Sequence, residues 1–215
     1  MTPRRDLLVL TACKDCQFAV QGILCRHKSL RIRPVAADFL VHPNKDAGCV
    51  TTSIELLRGQ RSRYPHALVL FDREGSGQEG RTAGELEDLV GEGLRKSGWD
   101  ERAAVVVLDP ELEIWVWSES PQVDRILGWA NHIPSLRSWL VGQRYLAEDE
   151  HKPGRPKEAM EAAMEVAEVR RSSAIYKELA EHVSLERCTD PAFLRLKEVL
   201  RGWFQLGADS TEPSR

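Results

Sequence analysis

Two short acidic motifs carry the oxygen donors from which a divalent-cation site could be built. Asp72-Arg-Glu74 follows an apolar run and precedes a glycine-rich loop. On an extended chain residues two apart point to the same side, so these two carboxylates face one volume. Held close, each raises the cost of ionising the other, and a cation relieves that cost; hard oxygen ligands favour Mg²⁺ or Mn²⁺ over zinc. A bare DxE is equally the composition of a solvated turn. Glu111 and Glu113 lie in Leu108-Asp-Pro-Glu-Leu-Glu-Ile-Trp-Val-Trp117. A carboxylate buried among such apolar neighbours needs a metal or a cation; the alternative for Glu113 is an acid at a helix start, favoured by the positive end of the dipole.

The five cysteines, at 13, 16, 25, 49 and 188, are odd in number and scattered, which argues for reduced thiols rather than a disulfide framework. Cys13 and Cys16 have CxxC spacing, and Cys25 with His27 would complete a four-ligand zinc set, although the two pairs are a helix length apart. CxxC redox chemistry after a first strand is the other chemical reading; packed thiols are the plainest. No P-loop, dinucleotide fingerprint or nucleophile elbow occurs. His66, His132, His151 and His182 lie on unrelated elements with no carboxylate at triad-like positions.

The elements that must position these groups alternate. Leu7–Ala12 reads as a strand and Lys14–Arg26 as a helix; Ile32–His42 is extended, and Val50, Ile54 and Leu57 recur at helical spacing. Ala67–Phe71 is the next strand, ending at Asp72. Leu86, Leu89, Val90 and Leu94 mark an amphipathic helix, and Ala103–Leu108 is a fourth strand. Strands that are nearly all apolar and alternate with helices predict a mainly parallel four-stranded α/β sheet covered on both faces. Ligands of such sheets bind at the carboxyl ends of strands, here after Ala12, Phe71 and Leu108. Lys14, His42 and Lys45 fall after strand ends on that side, where a phosphate contact or a solvated loop are both open readings.

Beyond residue 130 the pattern turns helical. Ala159, Met160, Ala163, Met164 and Ala167 form one stripe; Ile175, Leu179 and Val183 a second; Phe193, Leu196, Leu200 and Phe204 a third. This predicts an α/β domain over 1–130, a helical extension packed on it over 131–207, and a frayed tail over 208–215. Lys152, Arg155 and Lys157 precede the first of these helices. They suit a phosphate clamp or a cation reaching the acids, or else a linker whose Pro156 starts the helix.

At 215 residues the chain is long enough for a real core, and 42% hydrophobic with 29% charged residues is ordinary globular composition. No apolar run is long enough to span a bilayer, and the N-terminus lacks a signal-peptide pattern, so a cytoplasmic protein with no membrane partner is expected. Charge is uneven: residues 1–66 hold 11 Lys/Arg against 5 Asp/Glu, and residues 67–130 hold 6 against 14. A basic sector beside an acidic one suits phosphate and divalent cations.

Strand Leu7–Ala12 with its helix, Asp72-x-Glu74-x-x-Gly77, Glu113-Ile-Trp-Val-Trp117 and Lys152-Pro-Gly-Arg-Pro-Lys157 together resemble the Toprim-type proteins of prokaryotic phage defence. These include the RloB-like proteins and relatives of the overcoming-lysogenization-defect nucleases; more narrowly, the chain is similar to a small Toprim-like subunit of methylation-associated defence systems. The resemblance implies a Mg²⁺- or Mn²⁺-dependent site with Asp15, Asp72, Glu74 and Glu113 as metal ligands and Asp72, Glu74 and Asp15 as catalytic acids. Lys14, Lys45, Lys152, Arg155 and Lys157 would face DNA or RNA. Partner subunits of a defence complex, or a second copy of the chain, are also implied. Thr11 stands where the family carries its strand-end glutamate, and a threonine hydroxyl cannot shuttle a proton near neutral pH in the same way. Two expectations therefore stand: a metal-binding nuclease, or a catalytically silent scaffold that keeps the sheet.

Overall fold

A computed structural model describes residues 5–118 and 120–206. Four parallel strands form one sheet in the order β2-β1-β3-β4: β1 (Leu7–Thr11), β2 (Ala37–Val41), β3 (His66–Asp72) and β4 (Ala103–Leu108). β1 is buried throughout because it is paired on both edges, Leu7 standing beside Ala37 on one neighbour and His66 on the other. Each strand is followed by helix: α1 (Lys14–Cys25) and α2 (His27–Leu30), then α3 (Lys45–Thr51) and α4 (Ser53–Arg58), then α5 (Ala83–Leu94). The mainly parallel, four-stranded, helix-flanked α/β sheet expected from the apolar strands is the fold observed.

The two faces of the sheet bury different partners, which is why the strands read as unbroken apolar runs. Leu8, Leu10, Val69, Phe71, Val105 and Val107 pack under α5 and α4 with Leu57, Leu86, Val90 and Trp99. Leu7, Val9, Leu68, Leu70, Val106 and Leu108 belong to a second cluster, which continues without a break into the C-terminal helices. Those are α6 (Pro121–Ile126), α7 (Leu136–Gly142), α8 (Pro156–Val166), α9 (Ser173–His182) and α10 (Pro191–Trp203). The three stripes read in the sequence are their buried faces: Met160 and Met164 on α8, Ile175 and Leu179 on α9, Phe193, Leu196 and Leu200 on α10. The segment 131–206 thus closes one face of the sheet. Residues 208–215 lie outside the described residues.

Two details differ from the sequence reading. The extended segment 32–42 contains a strand only over Ala37–Val41, because Arg31 takes a left-handed backbone (φ 59°) to end α2, and Ile32 forms a lone antiparallel bridge with Gln205. The helical spacing of Val50, Ile54 and Leu57 is divided between α3 and α4 at Thr52.

α1 and α9 approach so closely that Gly22 has no room for a side chain. A Cβ there would lie 2.6 Å from the Lys177 carbonyl oxygen and 2.8 Å from Ala180 Cβ. Gly22→Ala should therefore lower stability by about 1–3 kcal/mol despite alanine's better helix propensity. Urea denaturation checks this, and an unchanged or raised midpoint would show that the two helices are further apart.

Candidate acidic centre at the carboxyl rim of the sheet

Asp72 ends β3 with its side chain folded inward. Its Oδ1 accepts a hydrogen bond from Leu112 N at 3.0 Å, and its own backbone N–H donates to Asp46 Oδ1 at 2.8 Å. Asp46 comes from the first turn of α3, immediately after β2. The loop after β3 passes beside it: a Cβ on Gly75, which has φ 82°, would lie 3.6 Å from Asp46 Oδ2. Glu111 and Glu113 enter after β4, where a short 3₁₀ turn over Leu112–Trp115 sets them in the wall. Glu113 is 3% exposed and Glu111 8%.

Burial dominates the electrostatics here. It pushes the Asp72 carboxyl well above the ordinary aspartate range, and the charges of Asp46, Cys13, Glu113 and Glu111 push it further. Asp46 is raised by burial as well, with partial relief from the Asp72 N–H. Burial also raises Glu111, the backbone N–H of Lys157, which donates to its Oε1 at 3.0 Å, offsets part, and the charges of Glu113 and Glu74 push it further up. Burial opposes the charge on the Lys157 side chain, yet Glu113 and Glu111 outweigh it and hold the ammonium above its usual value.

Glu113 has its own partners. Arg171 donates to its Oε1 at 3.1 Å and the Tyr176 hydroxyl donates to the same oxygen at 2.5 Å. Arg171 also reaches Asp15 at 3.1 Å and pairs with Glu161, so one guanidinium gathers three carboxylates. Asp15 receives a further hydrogen bond from Ser173 Oγ at 2.5 Å. The centre therefore has two parts. Glu113 and Asp15 are neutralised by Arg171 where α9 begins, and Asp72, Asp46 and Glu111 form a purely acidic remainder next to Lys157.

The placement of the expected site residues follows from this. Asp72 and Glu113 lie on the same rim, near enough for the Glu113 charge to raise Asp72, but Glu113 is turned onto Arg171 and Tyr176. Glu74 is exposed: β3 stops at Asp72, so the two-residue alternation that would aim Glu74 beside it does not continue, and its charge bears on Glu111 instead. Asp15 is turned onto Arg171 and Ser173 rather than toward Asp72. Of the cations in the 152–157 loop, only Lys157 reaches the acids. Lys152 is 3.5 Å from Asp190, and Arg155 pairs with Glu158 beside the Tyr145 ring. Lys14 and Lys45 are exposed. His42 is buried, its Nδ1 accepting from Asn44 N and its Nε2 bonded to Thr52 Oγ1, so it is no phosphate contact. Thr11 is fully buried and its hydroxyl donates to the Cys13 carbonyl at 3.0 Å, which makes it a structural group.

Asp46, Arg171 and Tyr176 were not singled out from the sequence. Asp46 obeys the strand-end rule once Ala37–Val41 is known to be a strand. Arg171 and Tyr176 carry no local signal, because they reach the site only through the packing of α9 on α1. The zinc set is not assembled: Cys25 is exposed at the far end of α1, about 18 Å along the helix from Cys13 at 1.5 Å per residue. Among the described residues no group of three or more His, Cys, Asp or Glu side chains forms a ready-made metal cage. No helix among the described residues is long and apolar enough to cross a membrane.

Fold and rim define a doubly wound parallel α/β protein with a buried acidic centre at the carboxyl ends of its strands. No family model, curated protein or solved structure matches the chain.

Two outcomes follow. An aspartate raised by burial is stabilising only while protonated; its ionised form costs stability at neutral pH, and that cost is released as pH falls through the raised pKa toward the ordinary value. Asp72→Asn, which keeps the acceptor for Leu112 N, should therefore be more stable than wild type at pH 7 by on the order of 1 kcal/mol, the gap closing toward pH 4. Chemical denaturation across that range checks it, and a gap that widens on acidification would reverse the assignment. Arg171→Ala leaves Glu113 buried with its charge unpaired. It should cost more than the ~1 kcal/mol of an exposed pair and less than the roughly 3–5 of a fully buried one, since Arg171 is partly exposed. Adding Glu113→Gln should restore part of the loss in a double-mutant cycle.

Proposed function

We propose that this protein is a Toprim-like component of a prokaryotic antiviral defence system that holds a divalent cation at Asp72, Asp46 and Glu111 and presents it to a nucleic-acid phosphate. The observation that carries the reading is the convergence of carboxylates from three strand ends, with Asp72 and Asp46 both pushed toward protonation. A site that disfavours its own ionised state gains most when a cation replaces the protons. The donor type suits a hard ion: the hydrogen bonds to Asp72 and Asp46 use Oδ1, leaving Oδ2 of each, although among the described residues the carboxylates are not gathered into a preformed cage. Mg²⁺ suits such a set because it keeps several waters and takes only one or two carboxylates together with substrate phosphates.

When bound, the ion supplies charge stabilisation at the phosphate under attack. The chain's own groups divide the remaining work. Asp72 and Asp46 hold their carboxylates at the rim, Lys157 offers an ammonium kept charged by Glu111 and Glu113, and Arg171 fixes Glu113 and Asp15. Lys14 and Lys45, exposed at the first positions of α1 and α3, are cations available to a nucleic-acid backbone.

A second reading is favoured by Thr11. Its buried hydroxyl is committed to backbone carbonyls, so the first strand supplies no general base, and the chain then serves as a scaffold that binds partner subunits or nucleic acid without cutting.

Calorimetry should show Mn²⁺ or Mg²⁺ binding to wild type, weakened by about tenfold or more in Asp46→Asn/Asp72→Asn. Equal affinity in both proteins would remove the cation site. Cleavage of single- or double-stranded DNA or RNA, lost in Asp72→Asn, would select the nuclease over the scaffold.

A further inference from the structure

Beside the acidic centre lies a cysteine pair that the cation chemistry leaves unused. Cys13 is the N-cap of α1 and Cys16 is three residues further on, in the first helical turn. Their sulfurs are 3.3 Å apart, and the Cys16 backbone N–H donates to Cys13 Sγ at 3.3 Å. A disulfide bond needs about 2.05 Å between sulfurs, so closing this one asks for little more than side-chain rotation. The two thiols differ in access: Cys13 is partly exposed, whereas Cys16 is completely buried.

We propose that Cys13 and Cys16 form a redox-active dithiol, with Cys13 the attacking sulfur and Cys16 the resolving one, that exchanges with low-molecular-weight disulfides. Helix position and hydrogen bonding support the order of events. Cys13 is the partly exposed N-cap sulfur that accepts the Cys16 backbone N–H, so it is the one an outside disulfide can reach and the one whose thiolate the helix start favours, whereas Cys16 is buried behind it. In the first step Cys13 thiolate attacks one sulfur of the small disulfide. A mixed disulfide forms, the small S–S bond breaks, and the departing thiolate takes a proton from water. In the second step Cys16 gives up its proton and attacks Cys13 Sγ, expelling the remaining small thiol. Two electrons and two protons leave the protein dithiol, and the small disulfide ends as two thiols.

The dithiol chemistry needs no bound cation, although the Cys13 charge bears on Asp72, and the other cysteines do not imitate it. Cys25 is exposed at the opposite end of α1, Cys49 is fully buried, its thiol held protonated chiefly by burial, and burial likewise raises the Cys188 thiol. The closed bond would fix the first turn of α1, the turn that carries Asp15 to Arg171 and Ser173.

The test is equilibration of the full-length native protein with reduced and oxidised glutathione over a range of ratios, followed by acid quenching, alkylation and peptide mapping by mass spectrometry. Wild type should form one intramolecular bond, Cys13 to Cys16. Cys16→Ser should instead accumulate a glutathione adduct at Cys13, several-fold above that at Cys25, and Cys13→Ser should form neither product. Circular dichroism confirms that both variants are folded. The proposal is overturned if folded wild type shows no Cys13–Cys16 bond at any ratio, or if Cys16→Ser carries its adduct at Cys25 rather than at Cys13.

Discussion

The buried carboxylate of Asp72 constrains everything around it. Its position at the end of β3 is dictated by strand pairing, since Phe71 and Asp72 stand beside Val107 and Leu108 of β4. From that position it accepts the N–H of Leu112, which fixes the turn carrying Glu111 and Glu113, while its own N–H holds Asp46. One residue thus ties the segments after β2, β3 and β4 to a single point. Hydrogen bonds alone do not satisfy the charge of that point, because the groups that gather there are mostly acids. The free energy left uncompensated is the basis on which a cation is proposed there.

The positive groups show how the fold limits this charge without removing it. Arg171 is brought in by α9 and takes Glu113 and Asp15 out of play; Lys157, at the start of α8, faces Glu111 and Glu113. The C-terminal helices therefore complete the chemistry of the rim as well as the core. Their attachment is intimate where α9 meets α1, across the bare backbone of Gly22. A change in that contact would move Arg171, and through it the balance of charge beside Asp72.

α1 links the two proposed sites. Its N-terminus presents Cys13 and Cys16 in sulfur contact, and Cys13 is among the charges that weigh on Asp72. Thr11, just before it, spends its hydroxyl on the backbone. The loop between β1 and α1 is thus supplied with thiols and lacks an acid aimed at Asp72, whereas the loops after β2, β3 and β4 are supplied with acids.

Much of the fold was legible in the residues themselves. The runs of four to six apolar residues in β1, β3 and β4 and the helices with a repeating buried face are local patterns, set by side-chain periodicity and by burial on both sides of a parallel sheet. The same rule located Asp72, Glu111 and Glu113, because strand ends are where such sheets expose polar groups. What the sequence could not decide is which acids share a partner. Asp15 and Glu74 have the right spacing yet point elsewhere, one because α9 supplies Arg171 and Ser173, the other because β3 ends before the alternation reaches it. Asp46, Arg171 and Tyr176 entered only with the tertiary structure. Their roles come from residues dozens to more than 150 positions apart, and a charge's environment depends on those neighbours, which local spacing does not encode.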